Sequence, residues 1–130
     1  KNKYKNLINK KWIKFEGWAE NVDKYFIDSV ALLVPSVYRL SVRTKILDAF
    51  SCGLPVITYE ANNFDKDIFK NNENIVCAET NDDLIIGLRN ILSNEIFRKY
   101  ISENSLRKYS EKVNVEKTIR QNIELIKNIL

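Results

Sequence analysis

The sequence predicts an α/β fold, a three-layer sandwich in which helices cover both faces of a mostly parallel sheet. Predicted strands alternate with predicted helices along the chain, an order that produces parallel pairing. The run Val30–Val34 contains only apolar residues, as is typical of strands covered on both faces. With 130 residues, 45% of them hydrophobic, the chain is large enough to bury a core as one domain over residues 1–130.

The elements before this strand are short. Lys3–Lys11 is polar with a few apolar positions and is predicted as a helix. Trp12–Phe15 is predicted as a strand from its period of two, and Gly17 follows its end. A short helix is expected over Val22–Asp28 with Asn21 as its N-cap, and its apolar face consists of Val22, Tyr25 and Phe26.

The middle of the chain predicts a βαβ unit. After the strand Val30–Val34, a helix is expected over Val42–Cys52, with Ser41 as its cap. It stops at Gly53, and the next buried strand runs over Pro55–Tyr59. In such units the loop after the first strand is where ligands bind.

The remainder is mainly helical. We expect a weak helix over Asn62–Lys70, a turn, and a short strand over Ile75–Ala78. Thr80 or Asn81 caps the next helix, and a further helix starts at Ser93. The core faces expected for the last three helices are Leu84, Leu88, Ile91 and Leu92, then Ile96, Phe97, Tyr100 and Ile101, then Val115, Ile119, Ile123, Ile126 and Leu130.

Composition excludes several classes of function. The absence of histidine excludes histidine-based zinc sites, Ser-His-Asp triads and a histidine general base within this chain. The net charge is +4, but the lysines are scattered, so no nucleic-acid partner is expected. Cys52 and Cys77 are predicted to be buried free thiols of a reducing compartment. No metal or other cofactor is expected, and without a membrane span or signal peptide the predicted location is the cytoplasm.

One face of the helix predicted over Val42–Cys52 carries candidate ligand-binding side chains. Thr44 and Asp48 are four residues apart and therefore stack on the side that also carries Lys45. A carboxylate here can accept two hydrogen bonds from a vicinal diol. The backbone amides of Ser41, Val42 and Arg43, with the charge of Arg43 or Lys45, suit a diphosphate. The alternative is that these residues form the solvated face of an amphipathic helix.

The order of motifs resembles one enzyme superfamily. A segment Phe-Glu-Gly-Trp at 15–18 precedes an apolar strand that ends in Pro-Ser at 35–36. Then come Lys-Ile-Leu-Asp-Ala-Phe at 45–50 and Cys-Gly-Leu-Pro-Val at 52–56. This pattern, which continues more weakly through the remaining helices, resembles the C-terminal, donor-binding domain of retaining family 4 glycosyltransferases, a Rossmann-like half of the GT-B fold.

The resemblance implies that the chain binds a nucleotide-diphosphate sugar as donor substrate. Asp48 then holds the ribose hydroxyls, although the family usually has a glutamate there. The loop from Arg39 through Leu40, Ser41, Val42, Arg43 and Thr44 to Lys45 lies near the diphosphate and sugar, and Gly17 and Trp18 lie near the base. The expected function is transfer of the sugar to a glycan or lipid acceptor, as in polysaccharide biosynthesis.

Departures from the family pattern define the alternatives. Leu40 stands where many members have a second glutamate, and the loop lacks the glycines of a related subgroup. About four strands are predicted, fewer than a doubly wound sheet has. We therefore expect an N-terminally truncated fragment, inactive alone, whose partner is a missing acceptor-binding domain. One alternative is a non-catalytic module packed against a partner domain, and another is half of a GT-B epimerase or phosphorylase. Peripheral membrane contact through the last helix is a separate expectation that stays open.

Overall fold

The computed structural model describes residues 10–35, 44–59, 65–113 and 115–129. Helices and strands alternate as far as β2, a third strand follows it directly among the described residues, and three helices come last. The elements are α1 (Asp23–Ile27), β1 (Leu32–Val34), α2 (Thr44–Ser51), β2 (Val56–Tyr59), β3 (Val76–Ala78), α3 (Asn81–Ser93), α4 (Glu95–Lys112) and α5 (Val115–Lys127).

The strands form one parallel sheet in the order β1-β2-β3. In the register of this sheet Leu32 pairs with Val56, and Ile57 pairs with Val76. The prediction of parallel strands is therefore confirmed for the described strands. A helix, α2, connects β1 and β2, whereas the described residues between β2 and β3 contain no helix.

Side chains of neighbouring residues in β2 enter two separate cores. Val56 packs in a cluster with Val34 of β1 and Phe50 of α2. Ile57 packs in a second cluster with Ile91 of α3 and Ile101 of α4. Because successive side chains of a strand point to opposite faces, these clusters lie on the two faces of the sheet. Helices cover both faces, as the three-layer prediction requires.

The end of α2 is fixed by backbone geometry. Gly53 adopts a φ of 65°, a left-handed conformation that glycine reaches without a Cβ penalty. The amide of Leu54 donates to the carbonyl of Ala49, and the amide of Gly53 donates to that of Phe50. These two bonds form a Schellman motif. The hydroxyl of Ser102 in α4 donates to the Gly53 carbonyl at 2.5 Å, which joins this end of α2 to the last helices.

Hydrogen bonds at the start of α3 identify its N-cap residue. The hydroxyl of Thr80 accepts from the amide of Asp83, whose carboxylate accepts from the Thr80 amide in return. This reciprocal pair is a capping box, which satisfies donors that the first turn of a helix leaves free. Thr80, and not Asn81, is therefore the N-cap.

The strand predicted over Trp12–Phe15 is wrong. These residues have no regular secondary structure, and the side chains of Trp12 and Phe15 are exposed. An alternating pattern does not stabilise a strand that has no neighbour, because strand stability comes from hydrogen bonds to a paired strand and from burial of one face. Here Lys14 forms an ion pair with Glu16 in its own segment, and no β-ladder to the sheet forms.

Other boundaries and faces also differ. Within the predicted helix at 62–70, the described residues 65–70 form turns, while 60–64 lie outside the described residues, as do residues 1–9 and Ser41. Ser93 ends α3, and Asn94 caps α4 by accepting from the amide of Phe97 at 3.0 Å. Several residues predicted for the core are exposed: Val22, Tyr25, Leu92, Ile96, Tyr100, Ile119, Ile123 and Ile126.

Candidate functional site

The carboxyl ends of the strands define one edge of the sheet, where open α/β folds bind ligands. The strands reach this edge at Val34, Tyr59 and Ala78. The buried hydroxyl of Thr58 donates to the carbonyl of Val34 at 3.1 Å, so it holds the ends of β1 and β2 together. The segments that leave β1 and β2 at this edge include residues 36–43 and 60–64, which lie outside the described residues.

The first helix at this edge is α2, and packing fixes its orientation. Ile46, Ala49 and Phe50 are fully buried against the sheet. Thr44, Lys45 and Asp48 are exposed on the other side. The predicted division of α2 into a core face and a polar face is therefore confirmed.

The carboxylate of Asp48 has no hydrogen-bond or ion-pair partner within the described part of the chain. The Ser51 hydroxyl donates at 2.7 Å to the backbone carbonyl of Asp48 and leaves its carboxylate free. An ionised carboxylate is an acceptor with two oxygens, so this side chain is able to accept a pair of hydrogen bonds from two neighbouring hydroxyls. Asp48 lies one turn from Thr44, the first described residue of α2.

Two helices begin at the carboxyl edge, and they differ in charge. The first turn of α3 carries Asp82 and Asp83, so its partial positive charge is already balanced. The hydrogen bonds from the Thr80 hydroxyl and amide hold the pKa of Asp83 below its usual value, so it stays ionised. The described first turn of α2 has no acidic residue and carries Lys45. Of the two helix starts, α2 is the better suited to an anion.

A contact that the sequence did not predict links β2 to α3 at the same edge. The hydroxyl of Tyr59 donates to the side-chain oxygen of Asn81. Thr58 and Tyr59 therefore connect the carboxyl end of β2 to the end of β1 and to the start of α3, respectively. The signal in the sequence is a hydroxyl pair, Thr58-Tyr59, at the end of an otherwise apolar strand.

The remaining candidates are not brought to α2. Gly17 has a φ of 68°, and Trp18 beside it is 82% exposed. No hydrogen bond, ion pair or ring contact among the described residues joins either of them to α2. Five predicted loop residues lie outside the described residues: Arg39, Leu40, Ser41, Val42 and Arg43.

Two cavities in the described structure lie elsewhere. One of about 390 Å³ lies beside β3 and α3, and Gly87, Asn90 and Phe97 are among the residues that line it. The other, of about 640 Å³, includes Val30 and Pro55 at the amino ends of β1 and β2. Asp48 lines neither cavity.

The described ranges contain neither a metal-binding cluster nor a membrane-spanning helix. No cluster of three or more histidine, cysteine, aspartate or glutamate residues is placed there to hold a metal ion. No helix in the described residues is long and apolar enough to cross a bilayer. Cys52 is a free thiol, as expected, but it is exposed rather than buried, and Cys77 is half-buried.

Comparison with protein families identifies the family of this chain. A family model described as "Glycosyl transferases group 1" matches residues 1–94. The match covers 94 of the 130 residues and includes the whole sheet, α2 and α3. No curated protein matches the chain.

Proposed function

The chain belongs to the group 1 family of glycosyltransferases, and we propose that it forms the donor-binding part of a retaining enzyme of the GT-B type. Its ligand is a nucleotide-diphosphate sugar, whose sugar is transferred to a glycan or lipid acceptor. The acceptor is held by a separate domain, so residues 1–130 alone bind donor weakly and turn over no substrate.

The observation that carries this proposal is the free face of α2. Asp48 stands there without a partner among the described residues, next to a helix start that has no acid in its described first turn. In the proposed complex its carboxylate accepts hydrogen bonds from the two ribose hydroxyls. The diphosphate lies at the start of α2, near Lys45 and the preceding Arg43.

The same arrangement suits the reaction. In glycosyl transfer the bond between the anomeric carbon and the diphosphate oxygen breaks, and an acceptor oxygen takes its place on that carbon. The proton of the acceptor hydroxyl passes to the departing diphosphate. Negative charge grows on the departing diphosphate. Fixed amides at the start of a helix and nearby cations stabilise such charge most when it is fully developed, and this lowers the barrier. We assign no general base to this chain.

We place the base of the nucleotide near Gly17 and Trp18, because the exposed indole of Trp18 offers a surface for stacking. The exposed side chains of Trp12, Phe15 and Trp18 also favour a second candidate, a non-catalytic module that packs against a partner domain.

A ligand titration separates the two candidates. The chain is titrated with UDP-, GDP- and ADP-sugars while amide chemical shifts and the thermal midpoint are recorded. The donor-binding proposal predicts that one nucleotide shifts the amides of Thr44, Lys45 and Asp48 and raises the midpoint. The packing module predicts no change with any of them.

A pair of variants gives the control. Asp48→Asn removes the negative charge of the group that is proposed to accept hydrogen bonds from the ribose. Most of the nucleotide-induced change in amide chemical shifts and in thermal midpoint should therefore be lost. Asp67→Asn makes the same chemical change at an exposed residue outside α2, so it should respond to nucleotide like the unchanged chain. Equal responses of the two variants would overturn the role proposed for Asp48.

A further inference from the structure

The hydrogen bond between Tyr59 and Asn81 places an anchored amide at the carboxyl edge of the sheet. The donor is the hydroxyl of Tyr59, the last residue of β2, and the acceptor is Oδ1 of Asn81, the first residue of α3. Tyr59 is half-buried, whereas Asn81 is exposed. The side chain of Asn81 is therefore held from one side and remains accessible at the edge where open α/β folds bind ligands.

The amide of Asn81 has hydrogen-bonding capacity to spare. A side-chain amide offers one carbonyl oxygen as acceptor and an NH2 group with two donors. Its oxygen is engaged by Tyr59, and no residue of the described ranges accepts from its Nδ2. What Asn81 offers to a ligand is therefore a donor, which suits an oxygen atom of that ligand.

The charges next to Asn81 disfavour phosphate as the source of this oxygen. Asp82 and Asp83 follow it in the first turn of α3, and the hydrogen bonds from Thr80 lower the pKa of Asp83, so it stays ionised. Two carboxylates repel a bound phosphate, but they do not repel the uncharged hydroxyls of a sugar. Phosphate is favoured instead at the start of α2, where Lys45 is present and the described first turn has no acid.

The two helix starts lie on opposite faces of the sheet. The apolar side of α2 packs in the cluster that contains Val56, and that of α3 packs in the cluster that contains Ile57. A ligand that touches both starts therefore crosses the carboxyl ends of the strands. In the proposed function Asp48 holds the ribose on α2 itself, with the diphosphate at the start of that helix. The part of the donor left to extend toward α3 is its sugar.

We propose, as a step that rests on the proposed function, that Asn81 is a specificity-determining residue whose Nδ2 donates a hydrogen bond to a hydroxyl of the donor's sugar. Tyr59 is the positioning residue that holds the amide of Asn81 for this contact. A nucleoside diphosphate without the sugar makes no contact with Asn81, so the two kinds of nucleotide respond differently to changes at this pair.

Nucleotide titrations of the full 130-residue chain test this assignment. Dissociation constants are measured from amide chemical shifts for UDP-glucose, GDP-mannose and ADP-glucose, and for UDP, GDP and ADP. Asn81→Ala is expected to weaken binding of the preferred sugar nucleotide about fivefold, the effect of one neutral hydrogen bond, and to leave its nucleoside diphosphate unaffected. Tyr59→Phe should act in the same direction by a smaller factor, because Asn81 then keeps its donor and loses only its anchor.

Matched controls lie on the same helix and on the next one. Asn90→Ala changes another exposed asparagine of α3, and Tyr100→Phe removes the hydroxyl of a tyrosine of α4 that is 49% exposed. Both variants should bind the sugar nucleotide like the unchanged chain. The pair Tyr59→Phe with Asn81→Ala should bind no more weakly than Asn81→Ala alone, since the hydroxyl acts only through the amide. If Asn81→Ala does not fold, Tyr59→Phe decides by the same comparison of ligands.

Three results would overturn the assignment of Asn81 and leave the proposed function standing, provided that Asp48→Asn still weakens nucleotide binding. They are an equal loss with sugar nucleotide and nucleoside diphosphate, no loss with either of them, and the same loss in the control variants. A purely structural role of the pair predicts the first or the second of these results, together with a lower thermal midpoint. Absence of binding of every nucleotide to the unchanged chain would overturn both proposals.

Discussion

The contact between α3 and the sheet makes Gly87→Ala the most informative stability variant. Gly87 is buried in the middle of α3, and a Cβ at this position would lie 2.7 Å from Cγ1 of Val76 and 3.7 Å from Cγ2 of Ile57. Ordinary carbon–carbon contacts lie at about 3.5–4.0 Å, so the first contact is too short by about 1 Å. Val76 is a stiff β-branched residue in a buried strand and has little freedom to move away.

The size of the effect follows from two opposing terms. Replacing a helical glycine by alanine normally stabilises a helix by about 1 kcal/mol. Overpacking of a close contact in the core costs up to about 3 kcal/mol. We therefore expect Gly87→Ala to lower the free energy of unfolding by about 2 kcal/mol, which for a domain of this size is a fall of about 7 °C in Tm.

Urea unfolding and calorimetry measure this change. Asn90→Ala serves as the control, because it replaces an exposed residue of the same helix and should stabilise by about 0.5 kcal/mol. Adding Val76→Ala to Gly87→Ala removes the clashing methyl, so the double variant should be more stable than the sum of the single effects. A stabilising Gly87→Ala, or strict additivity with Val76→Ala, would refute this account of the contact.

Four further variants test the elements around the candidate site. Thr80→Ala should cost about 1 kcal/mol in urea unfolding, and an unchanged midpoint would contradict the capping box. Because the pKa of Asp83 is lowered in the folded state, its contribution is present above the unfolded pKa and is lost as the pH falls through the folded value. Asp83→Asn should therefore weaken the acid dependence of the midpoint, and an identical pH profile would argue against this linkage. Thr58→Val leaves the Val34 carbonyl without its hydroxyl donor and should cost about 1–3 kcal/mol, whereas a neutral result would mean that this bond contributes nothing. Gly53→Ala forces an L-residue into a left-handed conformation and should cost about 1–2 kcal/mol in thermal unfolding, and a stabilised variant would contradict the Schellman assignment.

The sequence predicted best the elements whose signals are local. The apolar run at β1, the stop at Gly53 and a cap at Thr80 or Asn81 each act within a few residues. The structure has all three, with β1 shortened to Leu32–Val34 and with Thr80 as the cap. The two faces of α2 were predicted for the same reason, since helical periodicity alone assigns Asp48 and Phe50 to opposite sides.

The sequence failed where burial depends on distant partners. The pattern at Trp12–Phe15 is compatible with a strand, but only a neighbouring strand would supply its hydrogen bonds, and none pairs with it in the described sheet. The exposed stripe of Ile119, Ile123 and Ile126 on α5 is as regular as that of a core helix, yet periodicity does not specify which surface receives it. For the candidate site, the sequence predicts the exposed polar face of α2. The loop Arg39–Arg43 lies outside the described residues, so its role in binding the diphosphate stays a prediction.

Recognition of the ribose by Asp48 is tested most directly with a thermodynamic cycle. Calorimetric titration compares the nucleoside diphosphate that the chain binds best with its 2′,3′-dideoxy analogue, for the unchanged chain and for Asp48→Asn. Hydrogen bonds to a charged group contribute about 1.5–3 kcal/mol, so Asp48→Asn should weaken binding of the ribonucleotide at least about tenfold and leave the dideoxy analogue unaffected. Equal loss with both ligands, or no loss with either, would contradict the proposed contact.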